Sequence, residues 1–305
     1  MIYTLTLNPA IDYNMRLAEL VPGSMNRTGD EHIRCGGKGI NVSAVLGNLG
    51  TQSTALGFIA GFTGDELERR LKAQGIRTDF IRLEKGMTRI CVKLGEKNGR
   101  ETEINASGPD ISEEAMSALK EKLLALKGGD TLLLAGSVPR SLSKDIYEEI
   151  CSMLFNNKVR IVADAAGAPL TNILHYHPWL IKPNHTEAGE ICGTVIDSHK
   201  TAEECATKLR AMGAMNVIIS MGDKGSVLAA DNGRVYRITA PVGKAVNTVG
   251  SGDSLLAGFL AGYEETGDFR ESLRRGTAAG SATAFTGKLC EKADYDRLLS
   301  EVQYG

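Results

Sequence analysis

Four short apolar runs set the rhythm of the second half of the chain. Thr131-Leu132-Leu133-Leu134-Ala135, Val159-Arg160-Ile161-Val162-Ala163, Trp179-Leu180-Ile181 and Val217-Ile218-Ile219 are almost unbroken in hydrophobicity, as suits central strands of a parallel sheet, buried on both faces. Between them the period lengthens. Ile146, Tyr147, Ile150 and Leu154 recur at helical spacing behind a Ser143 that can cap, and Cys205, Leu209 and Met212 form one face behind a Thr201-x-x-Glu204 capping box. This alternation predicts an α/β fold. The first half carries a different period: in Thr88 to Leu94, Ile90, Val92 and Leu94 alternate with Arg89, Cys91 and Lys93, so one face is apolar and the other holds two cations. Asn98-Gly99 supplies a hairpin turn, with Arg100 to Asn105 as the return strand. With segments near 12–18 and 28–35, and 88–106 as its hairpin, this predicts a small β flap inserted over the main sheet. There is no internal repeat and no linker long enough to mark a boundary, so residues 1–305 read as a single domain.

Each apolar run of the second half ends in polar or glycine residues: Gly136-Ser137, Asp164, Lys182-Pro183-Asn184 and Ser220-Met221-Gly222. Ligands of open α/β sheets bind beyond the carboxyl ends of the strands, so four such ends in register point to one shared cleft. Three further stretches carry candidate chemistry. Gly250-Ser251-Gly252-Asp253 strips the backbone bare where a helix begins, a place whose free N–H groups attract anions. Asp253 beside them reads either as the base of a phosphoryl transfer or as an ordinary first-turn acid. Arg34-Cys35-Gly36-Gly37-Lys38-Gly39 puts three glycines around a lysine before a helix with Val42, Val45, Leu46 and Leu49 on its buried side; Lys38 reads as an anion ligand or as a solvated loop lysine. Asn184 and Glu187 lie three apart at a helix start, which suits orienting Mg²⁺ near phosphates and suits a capping box equally. The turn Ser220 to Gly225 could lie along a nucleotide, although by itself it reads as a hairpin.

Composition narrows the field. A net charge of -2 gives no global attraction to nucleic acid or to an anionic membrane, so any phosphate recognition must be local. No apolar run approaches a membrane span, and the opening MIYTLTLNPAID lacks the regions of a signal peptide, so a cytoplasmic location is expected. The six cysteines form no Cys-x-x-Cys pair, which argues against zinc and against a disulfide framework and predicts small core residues instead. His175-x-His177 has no further ligand nearby and reads as loop histidines. No G-x-x-x-x-G-K-[ST] loop is present, and Gly250-x-Gly252 lacks the third glycine of a dinucleotide fingerprint.

Taken together, Thr6-Leu7-Asn8-Pro9-Ala10-Ile11-Asp12, Asn26-Arg27, Gly36 to Val42, Thr88-Arg89, Thr102 to Asn105 with Gly108-Pro109, Lys182-Pro183-Asn184-x-x-Glu187 and Asn247 to Ser254 resemble the ribokinase-type sugar kinases. Within that family the resemblance is to the branch that phosphorylates sugar phosphates. It implies a three-layer αβα sandwich with a mostly parallel sheet, a β lid often used for homodimerisation, and transfer of a phosphoryl group from ATP with Mg²⁺. By the same resemblance Asp253 is the base and Gly250, Ser251, Gly252 and Asp253 form the anion hole. Asp12 holds sugar hydroxyls; Arg27, Lys38 and Arg89 clamp the phosphate the sugar already bears; Gly37, Asn41, Asn105 and Ser137 complete the sugar side. Lys182, Asn184 and Glu187 serve MgATP, the last two reaching the metal through water or phosphate, and Ser220, Gly222, Asp223 and Gly225 form the nucleotide loop with Ser251 and Gly252. Val138-Pro139-Arg140 and Ala165-Ala166 depart from the family pattern. Glu103-Ile104-Asn105 and Asp12-Tyr13 favour fructose 1-phosphate as substrate, with tagatose 6-phosphate as the runner-up. The rivals from other classes are a non-catalytic sugar-phosphate sensor and, more distantly, a nicotinamide dehydrogenase.

Overall fold

The four apolar runs become neighbours in one sheet. In the computed structural model, which describes residues 1–304, the strands Thr131–Ala135, Arg160–Asp164, Leu180–Ile181 and Asn216–Ser220 lie side by side and parallel, and Ile2–Thr6 and Ser53–Ala60 extend the same parallel array. Antiparallel strands Ser226–Ala229, Val235–Thr239 and Gln303–Tyr304 close one edge. Continuous hydrophobicity has a direct reason here: Leu132 and Leu134 pack into one cluster while Leu133 and Ala135 of the same strand pack into the other. Helices Glu113–Leu124, Ile146–Leu154, His185–Cys192 and His199–Ala211 cover the first face, and Lys38–Asn48, Ser251–Thr266, Phe269–Thr286 and Lys292–Leu299 the second. The result is the expected αβα sandwich.

A second sheet of four strands, Asp30–Gly36, Ala10–Leu17, Arg89–Glu96 and Glu101–Asn105, stands apart from the first. Its hairpin turns at Gly99, in a left-handed conformation with φ 88°. Registration sorts its side chains into rows. Arg34, Asp12, Cys91 and Asn105 align across the four strands on one face, and Ile33, Tyr13, Val92 and Ile104 align on the other. Near its base the apolar face is buried, with Ile11 packed among Ile40, Ile59 and Leu67. Farther out it is open, with Ile33 and Ile104 exposed at 38% and 60%.

Several local expectations shift. The helix assigned a Thr201-x-x-Glu204 box begins earlier, at His199, with Ser198 as cap and Thr201 as its reciprocal partner. Met212 falls at the end of that helix and is exposed rather than on the buried face. Ser143 donates no direct cap to Ile146–Leu154; its hydroxyl accepts from Asp145 N, which occupies the cap position. The cysteine reading needs a larger correction, because Cys192 and Cys205 are joined by a disulfide with Cα atoms 6.1 Å apart, while Cys91, Cys151 and Cys290 are buried free thiols and Cys35 is half-buried. Spacing along the chain could not report that the end of one helix meets the middle of the next. Among the described residues no helix is long and apolar enough to cross a membrane.

Gly225 shows how the turn after Asn216–Ser220 is built. Its φ is 92°, and a Cβ there would sit 2.0 Å from the Ile238 carbonyl oxygen, so only glycine lets the two antiparallel strands close. Gly225→Ala is expected to destabilise the protein by roughly 2–5 kcal/mol in chemical denaturation.

Candidate active site

All four strand ends open into one cleft of about 730 Å³, where Gly136, Ser137, Asp164, Lys182, Asn184, Ser220 and Gly222 line the floor. Two helix starts complete it: Gly37, Lys38 and Asn41 from one, Gly250, Gly252 and Asp253 from the other. Asp12, Arg89, Lys93 and Asn105 reach in from the small sheet.

Asp164 is the buried charge around which the floor is arranged. It ends the strand Arg160–Asp164 and is 1% exposed, yet Lys38 Nζ donates to its Oδ1 at 2.8 Å and Lys182 Nζ lies 3.2 Å from its Oδ2. Burial by itself would push this carboxyl up, but the two ammonium groups outweigh it and hold the group below its usual range. Burial likewise works against the charge on Lys38, and Asp164 reverses the effect and raises it. Lys38 is therefore no free loop lysine: it is committed to a partner 126 residues away.

The start of helix Ser251–Thr266 has the geometry of an anion hole, with one change. Gly250 caps it at φ 81°. Ser251 N–H already donates to Thr248 O at 3.1 Å and Ser254 N–H to Gly250 O at 2.9 Å, which leaves the Gly252 and Asp253 amides without an acceptor among the described residues. Ser251 does not line the cleft, and its buried Oγ is unpartnered. A Cβ on Gly252 would stand 3.1 Å from Lys182 Nζ, so the bare residue lets an ammonium and the open amides face the same space. Asp253 is buried, and Asn41 Nδ2 donates to its Oδ2 at 2.8 Å. Desolvation, then the nearby charge of Asp164, push its pKa up to about 6, against the opposing pull of Asn41 and the two lysines. A carboxylate with such a value beside free amides can take a proton near neutral pH.

At Asn184–Glu187 the capping box is present in full: Asn184 Oδ1 accepts from the Thr186 and Glu187 amides, each at 2.9 Å, and Glu187 Oε2 accepts from Asn184 N at 2.9 Å. Both residues also line the cleft, so the cap aims them there. No group of three or more acidic, histidine or cysteine side chains suited to a metal occurs among the described residues. Glu187 lines the cleft as a carboxylate with one oxygen committed to the cap.

Among the residues expected to hold the sugar, Arg89 is half-buried and donates through Nε to Asn8 O at 3.1 Å; Asn8 in turn donates to Ser107 O at 2.8 Å. Asp12 lies against Gly36, where a Cβ would come within 2.5 Å of its Oδ1. Arg27 is exposed on the segment between two strands of the small sheet and does not line the cleft, and neither do Asp223 and Gly225 of the expected nucleotide loop. Thr6, Asn8, Lys93, His185 and Thr248 line it without having been assigned a role. Of these, Lys93 carried a signal, as the second cation on the polar face of the hairpin.

Free amides at a helix start, a buried carboxylate, paired lysines and cations on the small sheet suit the handling of phosphoryl groups, and the comparisons with known proteins agree. A family model described as pfkB family carbohydrate kinase matches residues 5–293, and the chain belongs to that family. It is similar to the 1-phosphofructokinase of Bacillus subtilis, 44% identical over 303 residues that cover 99% of each protein. The D-tagatose-1-phosphate kinase of Bacillus licheniformis is 38% identical over 304 residues, again 99% of each. Among solved structures, phosphofructokinase-2 from Escherichia coli in complex with fructose-6-phosphate matches with a TM-score of 0.90 and 25% identity over 98% of both chains. The protein is a carbohydrate kinase, with ATP as the implied donor.

Read as the proton acceptor that the sequence predicts, Asp253 works only when ionised, so kcat/KM is expected to rise about tenfold per pH unit below pH 6 and to level off above it, measured over roughly pH 5 to 8. The linkage to stability has the opposite sign. A carboxyl whose folded pKa is raised stabilises the fold below its unfolded value, and that contribution is lost as pH rises through about 6. Asp253→Asn should therefore melt at the same temperature as the parent or higher near pH 8, while its turnover falls by orders of magnitude; a lower melting temperature would contradict the burial argument.

Proposed function

We propose that the protein transfers the γ-phosphoryl group of MgATP to the C6 hydroxyl of fructose 1-phosphate, giving fructose 1,6-bisphosphate and ADP. The observation that carries this reading is the Asp253 carboxylate, fixed by Asn41 at 2.8 Å beside the open amides of Gly252 and Asp253. Asp253 takes the hydroxyl proton as the sugar oxygen bonds to the γ-phosphorus and the bond to the β-phosphate oxygen breaks. The two amides and Lys182 face the charge that develops on the migrating group. Mg²⁺, bound to the nucleotide phosphates, supplies charge neutralisation on the donor side. At the other end of the cleft Arg89 and Asp12 receive the phosphate and hydroxyls of the sugar. Ser220 and Gly222 border the nucleotide, and Asn184 and Glu187 orient its phosphates.

The substrate assignment is supported by the cations on the small sheet, which a neutral sugar would leave unused, and by the kinship to a 1-phosphofructokinase. The relative named for D-tagatose 1-phosphate favours a second reading in which the C4 epimer is accepted. Tagatose 6-phosphate, the runner-up from the sequence, would have to bind with its phosphate on the opposite carbon. We further take residues 1–305 as one kinase domain acting in the cytoplasm, with the small sheet as its lid. The row Ile33, Tyr13, Val92 and Ile104 supports pairing of two copies through that lid, since it spans all four strands and includes two exposed isoleucines.

Measured side by side, kcat/KM is expected to be at least about tenfold higher on fructose 1-phosphate than on tagatose 6-phosphate, a difference of about 1.4 kcal/mol; the reverse order would overturn the assignment. Ile104→Glu is expected to shift the protein from dimer to monomer in sedimentation velocity. A parent that already sediments as a monomer would remove the dimer.

A further inference from the structure

The small sheet brings a second cation to the cleft whose role the assignments above leave open. Lys93 lies one row beyond Asp12, in register with Asn14 and Glu103. Its ammonium stands 3.2 Å from Asp12 Oδ2 and 3.8 Å from Glu103 Oε1, with the side chain 26% exposed. On its other side the Asp12 carboxylate fills the space that a Cβ on Gly36 would take, 2.5 Å from Oδ1. Between these two residues its position is set.

Charge in the cleft is balanced overall but not locally. Asp12, Asp164, Glu187 and Asp253 face Lys38, Arg89, Lys93 and Lys182. Lys38 and Lys182 are both taken up by the buried Asp164. On the small sheet Arg89 and Lys93 face one lining carboxylate, Asp12, so the lining there carries one more cation than anion; Glu103, beside Lys93, is exposed and stands outside the lining. Without Lys93 the lining there would be neutral, and Asp12 would lose its counter-ion.

We propose that Lys93 is a specificity-determining residue: it holds the Asp12 carboxylate in place for the sugar hydroxyls and gives the lid end of the cleft the positive surplus that selects a sugar already bearing a phosphate over the same sugar without one. This rests on reading the cleft as a sugar-phosphate site. A merely structural lysine would affect both sugars alike, whereas a selecting one affects the phosphorylated sugar most.

The test compares Lys93→Met, which keeps most of the apolar stem, and Lys93→Arg, which keeps the charge, with the parent enzyme. Steady-state kinetics are run on fructose 1-phosphate, on unphosphorylated fructose and on ATP. Lys93→Met is expected to raise KM for fructose 1-phosphate by about tenfold to a hundredfold, to leave KM for ATP within about twofold, and to lower the preference for fructose 1-phosphate over fructose by a similar factor. Lys93→Arg should recover most of that preference. An unchanged KM, or equal losses on both sugars, would overturn the proposal while leaving the substrate assignment intact. If the parent itself fails to turn over fructose 1-phosphate, the substrate assignment falls and the proposal with it.

Discussion

The clasp of Asp164 between Lys38 and Lys182 is the interaction on which the cleft depends. A carboxylate removed from water is several kcal/mol unfavourable unless it is well paired, and here the pairing draws together three segments from distant parts of the chain. Lys38 comes with the glycine-rich start of one helix, Asp164 with the end of a central strand, and Lys182 with the end of the next. Once these meet, a side chain on Gly252 would crowd Lys182, whose Nζ would stand 3.1 Å from the added Cβ. Asp253 then feels the negative charge of Asp164 in a dry setting, which is part of what brings its pKa toward neutrality. The same buried ion organises the floor and shifts the Asp253 carboxyl.

The two sheets divide the work by the kind of rigidity they offer. The large one, buried on both faces, fixes its strand ends against eight packed helices and so holds the reacting groups without freedom to drift. The small one has a single supported face near its base and presents Asp12, Arg89, Lys93 and Asn105 from the other. In the proposed reaction, contacts to the transferring group would thus come from the stiffer layer, and contacts that recognise the acceptor from the layer with fewer neighbours.

How much of this could be read beforehand follows the range of the interactions. Strands, helices and the hairpin are local patterns, and Leu132 to Leu134 or the alternation through Ile90 to Leu94 announce them directly. Four polar strand ends pointing to one cleft followed from the α/β rhythm alone. Helix starts were less secure: Ser198, not Thr201, caps its helix, because serine and threonine three apart offer two equivalent registers. Pairings across space left no local trace. Nothing near Lys38 reveals Asp164, nothing near Cys192 reveals Cys205, and the alternation that put Lys93 on the polar face of the hairpin did not reveal Asp12 as its partner. Asn184 and Glu187 posed a false choice, for the cap and the placement in the cleft are compatible.

The register of the small sheet has an evolutionary consequence. Side chains there alternate between the cleft and the apolar side, so losing or gaining one residue within Ala10–Leu17 would turn Ile11 and Tyr13 toward the cleft and bury Asp12 on the greasy side. Replacement of individual residues leaves the alternation untouched. Descendants of this sequence are free to try new amino acids along that strand, but its length is locked.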